Sequence, residues 1–245
     1  MLKPSNFFQL SDLPEPFIGL FEGAEYVWDI IKRLEAYLLG LFPDNAAIYG
    51  LVEPGAVLVN TDQIYIGPGT RVEPGAYIKG PAYIGANCEV RHGAYVRGSV
   101  MAGEGSVMGH ASEFKNALLL PGAHAAHFAY IGDAILGRHV NLGAGTKLAN
   151  VEMFGAIENA KTGVRPTIKI RIPGLPESVD TGLSKMGAIF GDDAQCGCNT
   201  VTNPGTLIAP RTLIYANTSL PKGYWGPNQV IKMRQTLESL DRRDK

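Results

Sequence analysis

Apolar or small residues recur at every sixth position over much of this chain. Ile66, Val72, Ile78, Ile84, Val90, Val96, Ala102, Met108, Phe114 and Leu120 hold one phase. The rhythm slips between Ala126 and Leu136 and resumes at Leu142 and Leu148. It returns at Phe190, Cys196, Thr202, Ile208, Ile214 and Leu220. A period of six belongs to a solenoid of parallel strands, in which three hexads close one triangular coil and one side chain per hexad points at the axis. Gly, Pro and Asn come after many of these positions, as in Ile66-Gly67-Pro68-Gly69 and Ile84-Gly85-Ala86-Asn87, and suit the corners. The predicted fold is mainly β, a parallel β-helix. Such a fold has few concavities of its own, so a site is expected at a rhythm break, on a loop or between subunits.

The pattern changes at both ends and once in the middle. Residues 1–20 hold three prolines and little periodicity, and read as an extended lead-in. Over about 21–42, Val27, Ile30, Ile31, Leu34, Leu38 and Leu39 have helical spacing, with Asp29, Lys32, Arg33 and Glu35 opposite. Pro43 would end this helix. Its expected role is a lid on the open N-terminal end of the solenoid, which otherwise exposes unpaired strand edges. Residues 151–185 interrupt the coils. There Thr167-Ile168-Lys169-Ile170-Arg171-Ile172 alternates as a half-exposed strand, with Pro173, Gly174 and a second strand near Val179 after it. The stretch reads as a hairpin excursion walling a cleft, with Lys161, Arg165, Lys169 and Arg171 in reach of an anion. From Asn228 to Lys245, Val230, Ile231, Met233, Leu237 and Leu240 form a helical stripe with a basic end. The predicted organisation is a lead-in and capping helix over 1–50, a β-helix over 51–221 and a C-terminal helical tail over 222–245.

Composition narrows the function classes. The chain of 245 residues has net charge −1, so nothing electrostatic favours nucleic acid or an anionic membrane. It has no apolar run of about 18 residues and no signal-peptide pattern at Met1–Leu10, so a cytoplasmic protein is expected. Its three cysteines, Cys88, Cys196 and Cys198, include no CxxC pair, which speaks for reduced thiols. The thirty glycines are explained by repeat corners. Gly67-Pro68-Gly69-Thr70-Arg71 has the look of a nucleotide-binding loop, but it sits inside the beat and reads as corner residues.

Candidate chemistry gathers at the rhythm break. The segments are Ser112-Glu113-Phe114-Lys115-Asn116-Ala117, Ala126-His127-Phe128-Ala129-Tyr130-Ile131-Gly132-Asp133 and Val140-Asn141-Leu142-Gly143-Ala144-Gly145-Thr146, with Gly191-Asp192-Asp193 after the insertion. This ordered series resembles the C-terminal acetyltransferase domain of the bifunctional bacterial enzyme that makes UDP-N-acetylglucosamine, over roughly residues 64–220. The resemblance implies a left-handed β-helix, a homotrimer, and acetyl-CoA as co-substrate. It also implies N-acetylation of an amino-sugar phosphate, first of all glucosamine-1-phosphate. It assigns His127 as the base, and imidazole has the near-neutral pKa that an attacking amine requires. It makes Glu113 an assisting carboxylate and Arg97 and Lys115 the cations on the sugar phosphate, two positive charges suiting a dianion. Tyr130 and Asn141 fall at sugar positions, and Lys185 at a substrate contact supplied by a neighbouring subunit. On the cofactor side, Asn150 lies near the acetyl group and Cys198 and Ala216 lie along the CoA groove.

The chain also departs from that pattern. Val151 replaces a tyrosine, Cys198 a serine, and about 35 residues replace a short loop. No room exists for the nucleotidyltransferase domain, since about 65 residues cannot hold one. A contrasting reading is therefore a non-catalytic binding or assembly subunit for a separate sugar-1-phosphate nucleotidyltransferase. Glu113 and Lys115 could equally be a solvated pair, Arg97 one more surface cation, and Cys198 a small packed residue. No metal is predicted: His92 and His110 lie 18 residues apart and should stack on one face, while His124 and His127 have the wrong spacing for the three-histidine zinc site of trimeric β-helix carbonic anhydrases.

Overall fold

The computed structural model describes residues 1–42 and 46–239, and over these the period of six becomes parallel coils. Three inward columns fill the axis. One runs Ile66, Ile84, Ala102, Leu119, Leu136, Phe190, Ile208. A second runs Val72, Val90, Met108, Ala125, Leu142, Cys196, Ile214. The third runs Ile78, Val96, Phe114, Ile131, Leu148, Thr202, Leu220. All are buried. Each coil adds one parallel ladder rung to every face, so the backbone groups of all but the end coils are paired.

Between Ile66 and Leu148 the register breaks the beat in two places, not once between Ala126 and Leu136. The step from Phe114 to Leu119 and the step from Ile131 to Leu136 are each one residue short. Leu119, not Leu120, enters the axis; Leu120 turns outward into a second core. Both short steps pass the same corner, where Asn116 and Asp133 take φ of +48°. Asparagine and aspartate tolerate that left-handed conformation better than most side chains. In the next coil the chain leaves this corner after Asn150 and returns at Met186, whose amide donates to the Asn150 carbonyl at 3.0 Å. The insertion therefore leaves from the corner of the two short steps, and the step from Leu220 to Trp225, also one residue short, passes that corner too.

One face carries an apolar column on its outside: Tyr65, Tyr83, Met101, Leu118, Ile135, Ile189, Leu207 and Tyr224. The N-terminal segment covers it. Helices α1 (Phe17–Phe21) and α2 (Asp29–Leu41) and the turns before them bury Phe7, Phe8, Leu20, Trp28, Ile30, Leu34 and Leu38 in this second core. Phe7 packs edge-on to Tyr224 and Phe17 to Tyr83, so the arm runs along most of the solenoid. A fully buried aliphatic side chain contributes about 1.5–3 kcal/mol, which makes the arm part of the fold. Two expectations are corrected here. Residues 1–20 are not a plain lead-in, and α2 is a side cover rather than a lid on the end. Pro43 lies outside the described residues.

The insertion holds more than a hairpin. Helix α3 (Met153–Thr162) comes first, and then the antiparallel strands Lys169–Ile170 and Val179–Asp180. Ile168, Ile170 and Ile172 are buried beside Leu207 and Ile189, while Lys169 and Arg171 face out. Gly205 makes this packing possible: a Cβ there would lie 2.9 Å from Ile168. The expected C-terminal helix is not formed among the described residues. Val230–Ile231 instead continues the last coil, paired with Leu213 and Ile214, and 232–239 has no regular structure. Leu240 and the basic end lie outside the described residues.

Candidate active site

The face between two corners collects the candidate residues. At the first corner, register places His127 beside His110. His92 and His110 stack with ring centroids 5.7 Å apart, and Phe128 meets His110 edge-on at 5.1 Å. His127 is exposed at the end of strand His124–His127. Across the corner, the outward column reads Tyr77, Tyr95, Glu113, Tyr130, Lys147. The next outward column reads Lys79, Arg97, Lys115, Gly132 and then Ala149, because each alternate residue of a strand shares a face. His127, Glu113, Tyr130, Arg97 and Lys115 thus lie on one face and its border, in three neighbouring coils.

Their charges are already paired. Arg97 Nη1 donates to Glu113 Oε1 at 2.5 Å, and its guanidinium lies 5.8 Å from the Tyr95 ring. Lys115 Nζ lies 3.0 Å from Asp133 Oδ1. Glu113 and Lys115 are therefore not a pair with each other. Asp133 is the hub at the second corner: it also accepts from Asn116 Nδ2 at 2.9 Å and Asn150 Nδ2 at 2.6 Å, and is almost fully buried. Three donors compensate the cost of burying this carboxylate. Burial, and then the charges of Glu113 and Asp133, push the Tyr130 phenol up from its ordinary range. The Tyr130 hydroxyl lies over Gly132, where a Cβ would meet it at 2.5 Å, so any larger residue there would displace the tyrosine. Asp133 and Asn116 belong to this candidate site and sequence reasoning did not single them out; the shortened hexads they occupy emerge only from the strand register.

The remaining candidates divide. Lys185 lines a cleft of about 290 Å³ in its own chain with Asn116, Asp133 and Lys32. Of the four cations expected in reach of an anion, Lys161, Arg165, Lys169 and Arg171, none lines that cleft. Asn141 lies on a different face, in register with His124 and Gln195. Cys198 and Ala216 continue the His127 corner. Gly145 donates to His127 O, Asn199 to Ala144 O and Asn217 to Cys198 O, so His127, Ala144, Cys198 and Ala216 form one column along the edge. At the usual strand spacing it spans roughly 15 Å. Asn150 stands at the other corner, apart from Cys198 and Ala216. Among the described residues no three His, Cys, Asp or Glu side chains converge to hold a metal.

A family model for bacterial transferase hexapeptide (six repeats) matches residues 63–98. A putative uncharacterized acetyltransferase of Escherichia coli, YaiX, is 32% identical over 174 residues, which is 69% of this chain and 70% of that protein. A bifunctional sugar-1-phosphate nucleotidylyltransferase/acetyltransferase of Sulfurisphaera tokodaii is 30% identical over 108 residues, 44% of this chain. The matched part is 24% of that relative, so the chain corresponds to about a quarter of its length. Among solved structures, the UDP-N-acetylglucosamine acyltransferase of Francisella novicida aligns over 72% of this chain and 60% of its own, with a TM-score of 0.43 and 12% identity.

Proposed function

We propose, for a chain that belongs to the hexapeptide-repeat acyltransferase family, that it acetylates the amine of an amino-sugar phosphate with acetyl-CoA, glucosamine-1-phosphate being the first substrate to test. The observation that supports this reading is that His127, Glu113, Tyr130, Arg97 and Lys115 lie on one face and its border in three neighbouring coils, beside the edge where Ala144, Cys198 and Ala216 line up. A CoA thioester laid along that edge would bring its carbonyl to His127. His127 takes a proton from the amine as nitrogen attacks the carbonyl carbon. The tetrahedral centre then collapses, the C–S bond breaks, and CoA leaves as thiolate to be protonated. Arg97 and Lys115 hold the phosphate by exchanging a carboxylate partner for it, which leaves Glu113 free to orient the amine or the imidazolium. Lys185 and the buried Asp133–Asn150 pair fix the far corner. Asn141, on the adjoining face, and Asn150, at the far corner, take the sugar and acetyl roles that the family resemblance implies only where a neighbouring copy brings these surfaces together.

The test is purified protein with acetyl-CoA against a panel of hexosamine phosphates, wild type beside His127→Ala. The variant is expected to lose about 10²–10⁴ in kcat with an unchanged circular dichroism spectrum. A wild-type rate in the variant removes the base assignment.

One observation favours the second reading, an assembly subunit for a separate sugar nucleotidyltransferase. The first coil presents Ile48, Tyr49, Leu51 and Val57 as an exposed apolar strand edge. Unpaired edges of this kind invite another chain. No acetylation of any hexosamine phosphate, together with capture of a nucleotidyltransferase by wild type but not by Leu51→Lys, would select it.

A further inference from the structure

Helix α2 touches the candidate site through one side chain. The helix packs across strand Glu113–Leu119, and the tight corner at Asn116 sets that side chain between the helix and the Asp133 hub. An amide nitrogen carries two hydrogens, and Asn116 has a use for both. Its Nδ2 donates to the Ile31 carbonyl oxygen of α2 at 3.3 Å and to Asp133 Oδ1 at 2.9 Å. The helix end of this bridge is firm, since Ile30, Ile31 and Leu34 are buried in the second core. With one hydrogen held by α2, the other is aimed at the carboxylate. Lys115 Nζ lies 3.0 and 3.3 Å from the two oxygens of Asp133, and Asn150 Nδ2 meets Oδ2 at 2.6 Å. Each carboxylate oxygen thus has an amide donor of its own beside the shared ammonium.

A cation is ordinarily hard to draw away from a buried carboxylate, because the charge left behind is out of reach of water. The Asp133 side chain is only 5% exposed, yet its two amide donors stay in place when the ammonium leaves. We propose that Asn116 is a positioning residue for the acceptor. Held by the N-terminal arm through Ile31, it keeps Asp133 satisfied while Lys115 passes from that carboxylate to the phosphate of the sugar. The inference rests on the acyl-transfer reading, with Lys115 as a phosphate cation, and makes the arm part of the site. Without the Asn116 amide, Asp133 retains Lys115 more strongly and phosphate affinity falls. Coupling of this kind is reciprocal. Once Lys115 has left, Asp133 depends on its amide donors, and Asn116 is held more firmly between hub and helix.

Asn116→Gly tests this, because glycine takes the φ of +48° at that corner without strain and removes both donations. Acetylation of the hexosamine phosphate that wild type uses, glucosamine-1-phosphate first, is measured in wild type, Asn116→Gly, Lys115→Met and the double variant. In Asn116→Gly the KM for the sugar phosphate is expected to rise roughly tenfold with kcat within about twofold, the worth of one hydrogen bond to a charged group. In the Lys115→Met background the same substitution should move KM by less than about twofold, because Asn116 acts through Lys115. A merely structural role gives the same loss in both backgrounds. That result, like an unchanged KM in Asn116→Gly, overturns the proposal and leaves acetyl transfer intact. A second measurement needs no variant: amide hydrogen exchange in α2 of wild type should slow when the sugar phosphate is bound. Exchange in α2 that is indifferent to bound sugar phosphate overturns the proposal as well. A wild type that acetylates no hexosamine phosphate removes the acyl-transfer reading, and the proposal with it.

Discussion

At the residue scale, the inward positions tell polar from apolar sharply. Thr202 occupies an axis position, fully buried, and its hydroxyl finds no partner among the described residues. An unsatisfied buried hydroxyl costs about 1–3 kcal/mol, and valine has its shape without that cost. Thr202→Val should raise the midpoint of thermal unfolding by a few degrees, measured by scanning calorimetry; a lower midpoint would mean that the hydroxyl is satisfied. The cysteines separate in the same way. Burial pushes the Cys88 thiol up to about 11 and raises Cys196 as well, while Cys198 is exposed. Since the thiolate is the reactive form, one of the three thiols should react quickly with a disulfide reagent at pH 8 and all three in denaturant. Saturating CoA should protect Cys198 if the His127 edge is the cofactor groove. Unchanged reactivity in CoA would place the groove elsewhere.

At the element scale, the features legible in the sequence are those with a period. The inward columns, the strand alternation at 167–172 and helix α2 each announce themselves by a spacing that one face imposes. The two shortened hexads do not, because Leu119 and Leu120 are both apolar and either could be the axis residue. Only pairing with Ala102 and Leu136 distinguishes them. The C-terminal stripe misleads for a related reason. Val230 and Ile231 belong to the coil period, and residues 232–239 have no surface to bury them: Leu237 is 85% exposed. A short isolated helix without a packing partner is marginal in water. Helix α3 escapes notice because its apolar residues are poorly covered by this chain, Met153 and Phe154 being 80% and 84% exposed and Ile157 50%. The insertion thus has two parts with different duties. The hairpin covers Leu207 and Ile189, so cutting the whole of 151–185 would uncover core. Replacing 153–163 with a short glycine-serine link, keeping the hairpin and Lys185, removes only α3. That variant should melt within a few degrees of wild type and show altered substrate preference or Michaelis constants. If both are unchanged, α3 has no role in the site.

At the scale of the whole molecule, the three faces of the prism are not equivalent. The N-terminal arm and the hairpin close one face, which leaves the site face and the face of His124, Asn141 and Gln195 for other contacts. These two meet at the His127 corner, where Phe128 and Tyr215 stand 55% and 57% exposed. No described residue covers that edge, and it is the edge proposed to hold CoA. Association of three prisms about an axis parallel to their own would turn each such edge into a groove between neighbours, with Lys185 at the opposite corner free to reach an adjoining site. Closed rotational symmetry is the usual outcome for such self-contacts. We therefore expect a trimer of the 26.3 kDa chain at micromolar concentration in sedimentation equilibrium. Phe128→Glu, which would place a charge in each of three equivalent contacts, should shift the mass to that of the monomer and abolish CoA binding in the same sample. A trimeric mass with weakened CoA binding would locate the subunit contact elsewhere while keeping the groove. A wild-type chain that sediments as monomer yet acetylates its substrate would show that one prism edge suffices, and the shared-site arrangement would have to be given up.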